Sequence, residues 1–284
     1  MSIRALPFQL PPRSPEGHKG TFGKLYILAG SLEYSGAARL CAASALRSGC
    51  GLVRLGVPRS IWAVVAAYDP CYMTEMLEEE DGQVSLAALP ALIKGMDWCD
   101  AMAIGPGLGR SAALEEVLGQ LLAVCQKPLV LDADGLVLSR RHILNTPGRP
   151  WVITPHEGEF AALGGLLDKG RMEGASALAK SHGLTVHLKG AADSLTVSPA
   201  GRWHMNHTGN HGLAKGGSGD VLTGLIGSLL AQGMPCFEAA ANGAHLLGLA
   251  AERVSQTLSC RGMTPEDVMR EIPKVFRDLE GRLS

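Results

Sequence analysis

The stretch KLYILAGSLEYSGAARLCAASALRSGCGLVRLGV, residues 24–57, contains the repeating unit of the predicted fold. Short apolar runs at 24–29 and 52–57 predict buried strands, and residues 36–49 between them have the spacing of a helix. Gly49 is a typical helix stop. Because neither run alternates apolar with polar residues, we expect two parallel strands that are buried on both faces and joined by a crossover helix.

The same pattern continues along the chain. Further apolar runs predict strands at 101–104, 128–131, 151–154 and 184–188. Helical spacing recurs between them, at 111–125 and 174–183. This alternation indicates an α/β fold with a doubly wound, mainly parallel sheet that is covered by helices on both faces.

The C-terminal third departs from this alternation. SLTV at 194–197 and RWHM at 202–205, separated by the turn SPAG, predict an antiparallel hairpin at one edge of the sheet. The remaining segments predict helices at 221–233, 237–256 and 264–280. Thr264 and Asp267 form a capping-box pattern at the start of the last helix. Since no repeat or linker interrupts the chain, we expect one domain spanning residues 1–284.

Composition narrows the classes of protein. The 284 residues are 46% hydrophobic, which is enough for a well-packed core. A net charge of −1 and an aromatic content of 5% argue against nucleic-acid binding. No apolar segment has membrane-spanning length, and residues 1–17 lack the apolar core of a secretory signal. We therefore expect a cytoplasmic enzyme that binds neither nucleic acid nor membrane.

The segment TGNHGLAKGGSGD, residues 208–220, leads directly into the apolar helix pattern that begins at Val221. Its five glycines allow positive φ angles and a close approach of the backbone to a ligand. Free N–H groups at a helix start attract phosphate, and they also favour the negative charge of Asp220. A base beside a phosphate cradle is typical of proton removal during phosphoryl transfer. The alternative is a glycine-rich helix entry in which Asp220 is only a cap.

Glycine or ionisable residues follow five of the predicted strands. They are GSLEYSG after residue 29, GPGLGR after 104, DADG after 131, PHEGEF after 154 and KGAAD after 188. The carboxyl ends of parallel strands meet at one edge of the sheet, where α/β proteins bind ligands. We therefore predict a binding crevice at this edge. The sequence excludes a P-loop, and the glycine spacing of GPGLG argues against a dinucleotide-binding dehydrogenase.

Charged residues at these strand ends have two interpretations each. His156 and Glu159 could bind a metal or a ligand, or they could make ordinary surface hydrogen bonds. Asp132 and Asp134 could hold Mg²⁺ through water, although we favour Asp134 as the cap of the following helix. Lys189 could pair with a phosphate or be a surface lysine, and we favour the nucleotide contact.

Classical metal-binding patterns are weak in this chain. The seven cysteines are odd in number, widely spaced and never arranged as C-x-x-C, which predicts buried thiols and not disulfides or a zinc site. His204, His207 and His211 lie close in sequence, but 204 and 207 fall on opposite faces of an extended segment. We expect no metal site there.

Together these motifs resemble those of the ribokinase-like NAD(P)H-hydrate dehydratases, ADP- or ATP-dependent enzymes that repair hydrated nicotinamide cofactors. The resemblance covers nearly the whole chain, from LPPRSPEGHKGTFGKLYILAGS to NHTGNHGLAKGGSGDVLTGLIGSLLAQG. GGSGD alone indicates the wider superfamily of small-molecule kinases, whereas TPHEGEF together with GPGLG indicates the dehydratases.

The resemblance implies roles for particular residues. Asp220 would be the acid/base at the substrate hydroxyl, and Gly219 would belong to the anion hole and the nucleotide site. Ala37, Gly107 and His156 would contact the hydrated nicotinamide nucleotide. The nucleotide-binding stretch would comprise Lys189, Gly190, Ala191, Ala192 and Asp193.

The resemblance also implies a reaction and its cofactors. The enzyme would dehydrate the S epimer of hydrated NADH or NADPH with ADP, restore NAD(P)H and release AMP and phosphate, with ATP as the alternative co-substrate. Mg²⁺ would accompany the nucleotide, with Glu159 as the candidate metal residue, and the assembly would be a homotetramer. Family members are often fused to an epimerase domain, for which this chain has no room, so any epimerase would be a separate partner.

Two other functions stay open at this point. A kinase that phosphorylates a vitamin-like alcohol would share GGSGD and the phosphate cradle, but it would release a phosphorylated product. A non-catalytic nucleotide sensor would keep the fold and the binding loop without turnover. The presence of Asp220 argues against the sensor.

Overall fold

The computed structural model describes residues 4–145, 147–191 and 193–281. Within these ranges the chain forms eleven strands. They are β1 (Lys24–Leu28), β2 (Leu52–Pro58), β3 (Met73–Leu77), β4 (Glu79–Glu80), β5 (Gln83–Val84), β6 (Ala101–Ile104), β7 (Leu129–Leu131), β8 (Trp151–Ile153), β9 (Thr185–Leu188), β10 (Ser194–Val197) and β11 (Trp203–Asn206). Strands β4 and β5 pair only with each other, and the other nine form one sheet.

The large sheet has the order β11-β10-β9-β8-β7-β6-β1-β2-β3. Seven neighbouring strands of this sheet run parallel, in the order β9-β8-β7-β6-β1-β2-β3. Strand β10 is antiparallel to both β9 and β11. The chain winds outward from β1 in one direction to β3 and in the other to β9. The junction of β1 and β6 is therefore the topological switch point, where α/β sheets open a crevice at their carboxyl edge.

Eleven α-helices connect and follow these strands in the described residues. They are α1 (Ser35–Arg47), α2 (Arg59–Ala66), α3 (Leu89–Trp98), α4 (Ala112–Val124), α5 (Ala133–Leu138), α6 (Arg140–Asn145), α7 (Glu157–Ala162), α8 (Arg171–His182), α9 (Ser218–Ala231), α10 (Cys236–Val254) and α11 (Pro265–Glu280). None of them is both long enough and apolar enough to cross a membrane.

Alternate side chains of each central strand enter two different cores. In β1, Leu25 and Ile27 face the core formed with α1, α2, α9, α10 and α11, whereas Tyr26 and Leu28 face the core formed with α3 to α8. All four side chains are fully buried. Burial on both faces explains why the strand sequences are continuously apolar. The predicted doubly wound sheet with helices on both faces is confirmed.

Helix α9 is held in place by an unusually close contact with α1. Ser44 donates a buried hydrogen bond of 2.7 Å to the carbonyl oxygen of Val221. A Cβ atom at Gly224 would lie only 2.1 Å from the carbonyl oxygen of Cys41, so glycine lets the two backbones approach. This contact fixes the N-terminal turn of α9, which carries Asp220, relative to the sheet.

Most predicted elements are confirmed to within a few residues. The edge hairpin is present as β10 and β11, Gly183 ends α8 in the left-handed conformation, and Thr264 and Asp267 form a complete capping box. All seven cysteines are free thiols. The sequence patterns did not predict β3, α2 or α3.

Candidate active site

The ends of the parallel strands are linked to one another at the carboxyl edge of the sheet. The N–H of Gly30, after β1, donates to the carbonyl of Pro106, after β6, at 2.8 Å. The N–H of Asp132 donates to Ile104 at 3.1 Å, and the N–H of Lys189 donates to Pro155 at 2.9 Å. The predicted convergence of these segments is confirmed, and it defines the candidate site.

Ala37 and Gly107 are neighbours in this site. Gly107 has a φ of +62°, which glycine adopts without the strain that a side chain would bring. A Cβ atom there would lie 2.8 Å from the Cβ of Ala37 and 2.6 Å from the Cβ of Tyr34. The first turn of α1 and the loop after β6 therefore form one continuous surface at the switch point.

Asp132 ties three segments of the site together. Its side chain is 2% exposed, and its Oδ1 accepts a 2.7 Å hydrogen bond from the Nζ of Lys189. Its Oδ2 accepts a 2.8 Å hydrogen bond from the hydroxyl of Thr223, which lies on α9 one turn after Asp220. A buried carboxylate needs such partners, because an unpaired charge in the interior is costly. The end of β7 is thereby connected to the end of β9 and to α9.

The glycine-rich segment leads into α9 as predicted. Gly217 precedes the helix with a φ of +100°, and Asp220 lies in the first helical turn. In the described part of the chain, neither the N–H of Gly219 nor that of Asp220 has a hydrogen-bond acceptor. A Cβ atom at Gly219 would lie 3.2 Å from Oδ2 of Asp132 and 3.7 Å from Nζ of Lys189. Free amides beside an ammonium group suit an anion.

The carboxyl group of Asp220 has an altered affinity for protons. Burial raises its pKa from 3.8 to about 6, the negative charges of Asp132 and Asp134 add to this rise, and Lys189 opposes it. The helix start favours the ionised form of this group, as the sequence predicts. Burial and like charges outweigh that effect, so Asp220 is a stronger base than an ordinary aspartate while still mostly ionised at pH 7.

Lys189 is a quarter exposed and remains charged. Burial works to lower its pKa, but the carboxylates of Asp132 and Glu159 more than compensate, and the pKa of Lys189 is raised. Its Nζ lies 3.9 Å from Oε2 of Glu159. The neighbouring His187 is fully buried, and burial lowers its pKa to about 3, so it is neutral. The ammonium of Lys189 thus lies close to the start of α9, 3.7 Å from the Cβ position of Gly219.

His156 and Glu159 form the N-terminal cap of α7. The Nδ1 of His156 accepts a 3.2 Å hydrogen bond from the N–H of Glu159, and Oε2 of Glu159 accepts a 2.9 Å bond from the N–H of His156. The imidazole is 62% exposed, whereas the carboxylate is 11% exposed. Both of the interpretations that the sequence left open are compatible with this geometry, because the ring remains accessible from solvent.

The interpretation of Asp134 as a helix cap is wrong. Asp132 occupies the cap position of α5, and no side-chain hydrogen bond caps that helix. The carboxylate of Asp134 instead accepts hydrogen bonds from the N–H of Gly109 at 3.1 Å and from Nε of Arg110 at 2.7 Å. It therefore connects the loop after β6 to the loop after β7. The sequence DADG suggested a helix cap but gave no sign of this distant partner.

The predicted nucleotide-binding stretch lies at the end of β9. Lys189, Gly190, Ala191 and Asp193 are described, whereas Ala192 lies outside the described residues. Oδ1 of Asp193 lies 2.7 Å from Nδ1 of His207. The guanidinium of Arg171, a residue that the sequence analysis did not single out, donates hydrogen bonds to backbone carbonyls of this stretch.

Metal-ligating side chains are not clustered in the described ranges. No group of three or more His, Cys, Asp or Glu residues among residues 4–145, 147–191 and 193–281 could hold a metal ion. The three histidines at 204, 207 and 211 belong to no such group. The carboxylate of Asp132 is already bound by Lys189 and Thr223.

The protein has a doubly wound sheet, and an aspartate lies in a glycine-rich helix start at the carboxyl edge of that sheet. These features define the class of ribokinase-like proteins. Solved structures of this class share the fold. The profile of the NAD(P)H-hydrate dehydratase family matches residues 25–274. The chain belongs to this family.

Individual relatives agree with this assignment. The ADP-dependent (S)-NAD(P)H-hydrate dehydratase of Neisseria meningitidis is 35% identical over 98% of this chain and 92% of its own length. The crystal structure of the ADP/ATP-dependent NAD(P)H-hydrate dehydratase of Bacillus subtilis, co-crystallised with ATP and Mg²⁺, is 32% identical, with a TM-score of 0.80 over 95% of this chain and 94% of that chain. The bifunctional NAD(P)H-hydrate repair enzyme of Moorella thermoacetica is 38% identical over 96% of this chain. The chain spans about half (52%) of the length of that bifunctional enzyme.

Proposed function

We propose that this protein dehydrates the S epimer of hydrated NADH and NADPH at the expense of ADP, restoring NAD(P)H and releasing AMP and phosphate. Membership of the dehydratase family supports this reaction. The observation that carries it is the position of Asp220, a half-buried carboxylate in the first turn of α9 with free amides beside it. A base and an anion site side by side are what transfer of a phosphoryl group to an alcohol requires.

The first step uses Asp220 as the base. Its carboxylate accepts the proton of the ring hydroxyl while the hydroxyl oxygen bonds to the terminal phosphorus of ADP, and AMP leaves with the bond electrons. The N–H groups of Gly219 and Asp220 hold the oxygens of the transferred group, where negative charge must be stabilised. A pKa of about 6 suits this task, because the group is ionised at pH 7 yet basic enough to take the proton.

The second step eliminates phosphate. The carbon–oxygen bond breaks, the phosphate leaves with the bond electrons, and the adjacent ring carbon loses a proton so that the double bond returns. Hydroxide is a poor leaving group and phosphate a good one. This difference explains why a dehydration consumes a nucleotide. The net change is ADP and hydrated NAD(P)H to AMP, phosphate and NAD(P)H.

We further propose the residues that bind the nucleotide and its metal. The predicted nucleotide site consists of the stretch from Lys189 to Asp193 together with Gly219. Lys189 lies 3.7 Å from the Cβ position of Gly219 and would neutralise phosphate charge. Mg²⁺ commonly takes one or two carboxylates and completes its shell with phosphate oxygens and water. The proposed metal carboxylate is Glu159, whose Oε2 lies 3.9 Å from Nζ of Lys189 at this edge of the sheet.

The hydrated nicotinamide nucleotide is proposed to lie against the surface formed by Ala37 and Gly107. This surface is at the topological switch point, the usual ligand position in α/β proteins. The two segments pack closely here, because a Cβ at Gly107 would lie 2.8 Å from the Cβ of Ala37. The exposed imidazole of His156 would contact the same substrate.

We propose a single domain, a homotetrameric assembly, a cytoplasmic location and a separate epimerase that supplies the S epimer. ADP is the proposed co-substrate because the relative from Neisseria meningitidis is named for it, and ATP is the alternative that the Bacillus subtilis enzyme is named for.

Incubation with hydrated NADH, ADP and Mg²⁺ tests the activity directly. We expect the near-ultraviolet absorbance of the dihydronicotinamide ring to appear, with AMP and phosphate formed in equal amounts. Replacing ADP by ATP in a parallel reaction measures the nucleotide preference. An unchanged absorbance, in the presence of a positive-control dehydratase, would rule out the proposal.

The same reaction distinguishes the two alternatives. A kinase of this fold would consume nucleotide and leave a stable phosphorylated alcohol, which mass spectrometry of the products detects. A nucleotide sensor would bind ADP without consuming it. Restoration of NADH with stoichiometric phosphate excludes both.

A further inference from the structure

The loop that follows β9 is held by one arginine. Nη1 of Arg171 donates to the carbonyl oxygen of Asp193 at 3.1 Å, and Nη2 donates to the carbonyl oxygens of Leu188 at 3.2 Å and Lys189 at 3.0 Å. The guanidinium group therefore joins both ends of the stretch from Lys189 to Asp193. Arginine suits this task because its planar fork presents several donors in fixed directions.

Gly190 makes this contact possible. A Cβ atom at Gly190 would lie 2.4 Å from Nη2 of Arg171 and 2.3 Å from the carbonyl oxygen of Asp193. Any side chain would push the guanidinium away or open the loop. Glycine is thus required here by the close approach of both the guanidinium of Arg171 and the carbonyl oxygen of Asp193.

The position of Arg171 is electrostatically unfavourable for a purely structural residue. It is the first residue of α8, and its positive charge lies at the positive end of that helix. Its Nε is buried without a hydrogen bond, 3.6 Å from a carboxylate oxygen of Glu157. Its hydrogen bonds to the carbonyl oxygens of Leu188, Lys189 and Asp193 therefore offset the electrostatic cost of this position.

Binding of the carbonyls by Arg171 leaves the amides of the loop available. Among the described residues, the N–H groups of Gly190 and Ala191 have no hydrogen-bond acceptor. A short run of free N–H groups forms a concave site for an anion. The loop lies next to Lys189, whose ammonium is beside the amides of α9.

We infer that Arg171 is a positioning residue for the nucleotide, which holds the carbonyls of the loop after β9 so that the amides of Gly190 and Ala191 bind a nucleoside diphosphate. This inference rests on the proposed function, because it deepens the assignment of that loop to the nucleotide. Arg171 does not touch the reacting atoms. Its removal should weaken ADP binding far more than it slows the chemical step.

Titration calorimetry with ADP and Mg²⁺, without the hydrated substrate, tests the inference. We expect Arg171→Ala to weaken ADP binding by about 10- to 100-fold, the effect of losing hydrogen bonds from a charged donor. Arg171→Lys should fall between wild type and Arg171→Ala, because one ammonium cannot reach all three carbonyls. Gly190→Ala should weaken binding with Arg171 still present.

Arg149→Ala is the matched control. Arg149 also donates to backbone carbonyls, at 3.0 Å to Cys125 and 3.5 Å to Ala123, but it precedes β8 at the opposite edge of the sheet. Its loss should leave ADP affinity unchanged. Melting temperatures of all variants identify any loss of folding, and Arg171→Lys and Gly190→Ala keep the test valid if Arg171→Ala does not fold.

Steady-state kinetics with hydrated NADH distinguishes a role of Arg171 in positioning the nucleotide from a purely structural role. For Arg171→Lys we expect KM for ADP to rise several-fold, with kcat within about twofold of wild type and KM for hydrated NADH unchanged. If folded Arg171→Ala bound ADP with wild-type affinity, the inference about Arg171 would be overturned, but the proposed function would not. Failure of the wild-type protein to bind ADP would instead overturn the proposed function, so the two failures are distinguishable.

Discussion

Asp220, the proposed catalytic base, lowers the stability of the folded state when it is ionised. Burial and the charges of Asp132 and Asp134 raise the pKa of its carboxyl group to about 6. The ionised form is therefore less favourable in the native protein than in the unfolded chain. The proposed mechanism needs this form, so its activity and the stability of the fold should depend on the same titration.

The pH dependence of turnover follows from this pKa. Only the carboxylate form of Asp220 can accept the hydroxyl proton, so we expect kcat/KM to fall as the pH decreases through about 6. The measurement is the rate of NADH recovery between pH 5 and pH 8, with circular dichroism at each pH to show that the protein stays folded. A rate that does not change across this range would show that a different group removes the proton.

Asp220→Asn should be inactive yet more stable than wild type. Above pH 6 the raised pKa costs the native state on the order of 1–3 kcal/mol, which the neutral amide avoids. This gain in stability should shrink as the pH falls from about 6 towards 3.8, the ordinary pKa of the carboxyl group, because Asp220 then becomes protonated in the folded and the unfolded state alike. Urea unfolding at pH 7 and pH 4 measures it. Equal stability at pH 7 would show that burial does not perturb this group.

Gly219 and Gly216 provide a matched pair at the anion site. A Cβ atom at Gly219 would lie 3.2 Å from Oδ2 of Asp132, in the space proposed for the transferred phosphate, whereas nothing lies within 4 Å of a Cβ at Gly216. We expect Gly219→Ala to reduce kcat/KM by at least about tenfold through loss of phosphate stabilisation. Gly216→Ala should stay within about twofold of wild type. Equal activities would show that the phosphate binds elsewhere.

At the scale of elements, the contact between α1 and α9 determines where the first turn of α9, with Asp220, lies. The two helices approach so closely that a Cβ at Gly224 would meet the carbonyl oxygen of Cys41 at 2.1 Å. Ser44 adds a buried hydrogen bond to Val221, the residue after Asp220. Displacement of α9 would therefore move the carboxylate and the free amides together.

Gly224→Ala should damage both stability and activity. The backbone of α1 cannot yield as a flexible side chain would, so we expect a loss of about 2–4 kcal/mol in the free energy of unfolding. Gly36→Ala is the control within α1, because a Cβ there meets nothing within 4 Å. It should stabilise the helix by about 0.5–1 kcal/mol. Denaturant unfolding of both variants measures the difference, and a neutral Gly224→Ala would show that the helices can separate without cost.

At the scale of the whole molecule, the sequence predicted the layout of the sheet but not all of its members. Six strands could be predicted because their residues are buried on both faces and thus continuously apolar. Strand β3, MTEML, lies at the edge of the sheet, and its Met73 and Met76 are partly exposed. An edge strand needs fewer apolar residues, so it has no comparable pattern.

The candidate site was predictable in outline for a topological reason. Parallel strands end at one edge, so the residues after each apolar run had to meet there. The pairings within the site could not be predicted, because Asp132 binds Lys189, 57 residues away, and Thr223, 91 residues away. The same holds for Asp134, whose bond to Arg110 spans 24 residues and replaces the helix-capping role that short-range patterns suggested.

The bridging of Lys189 and Thr223 by Asp132 also has a consequence for biosynthesis. A ribosome releases the loop after β7 long before it releases α9, so the emerging chain carries an acidic side chain whose stabilising neighbours do not yet exist. The complete site can therefore form only late in folding, after α9 has packed against the sheet. Co-substrate added to a refolding mixture should accordingly protect only fully assembled molecules from proteolysis, since nascent fragments lack the means to capture it.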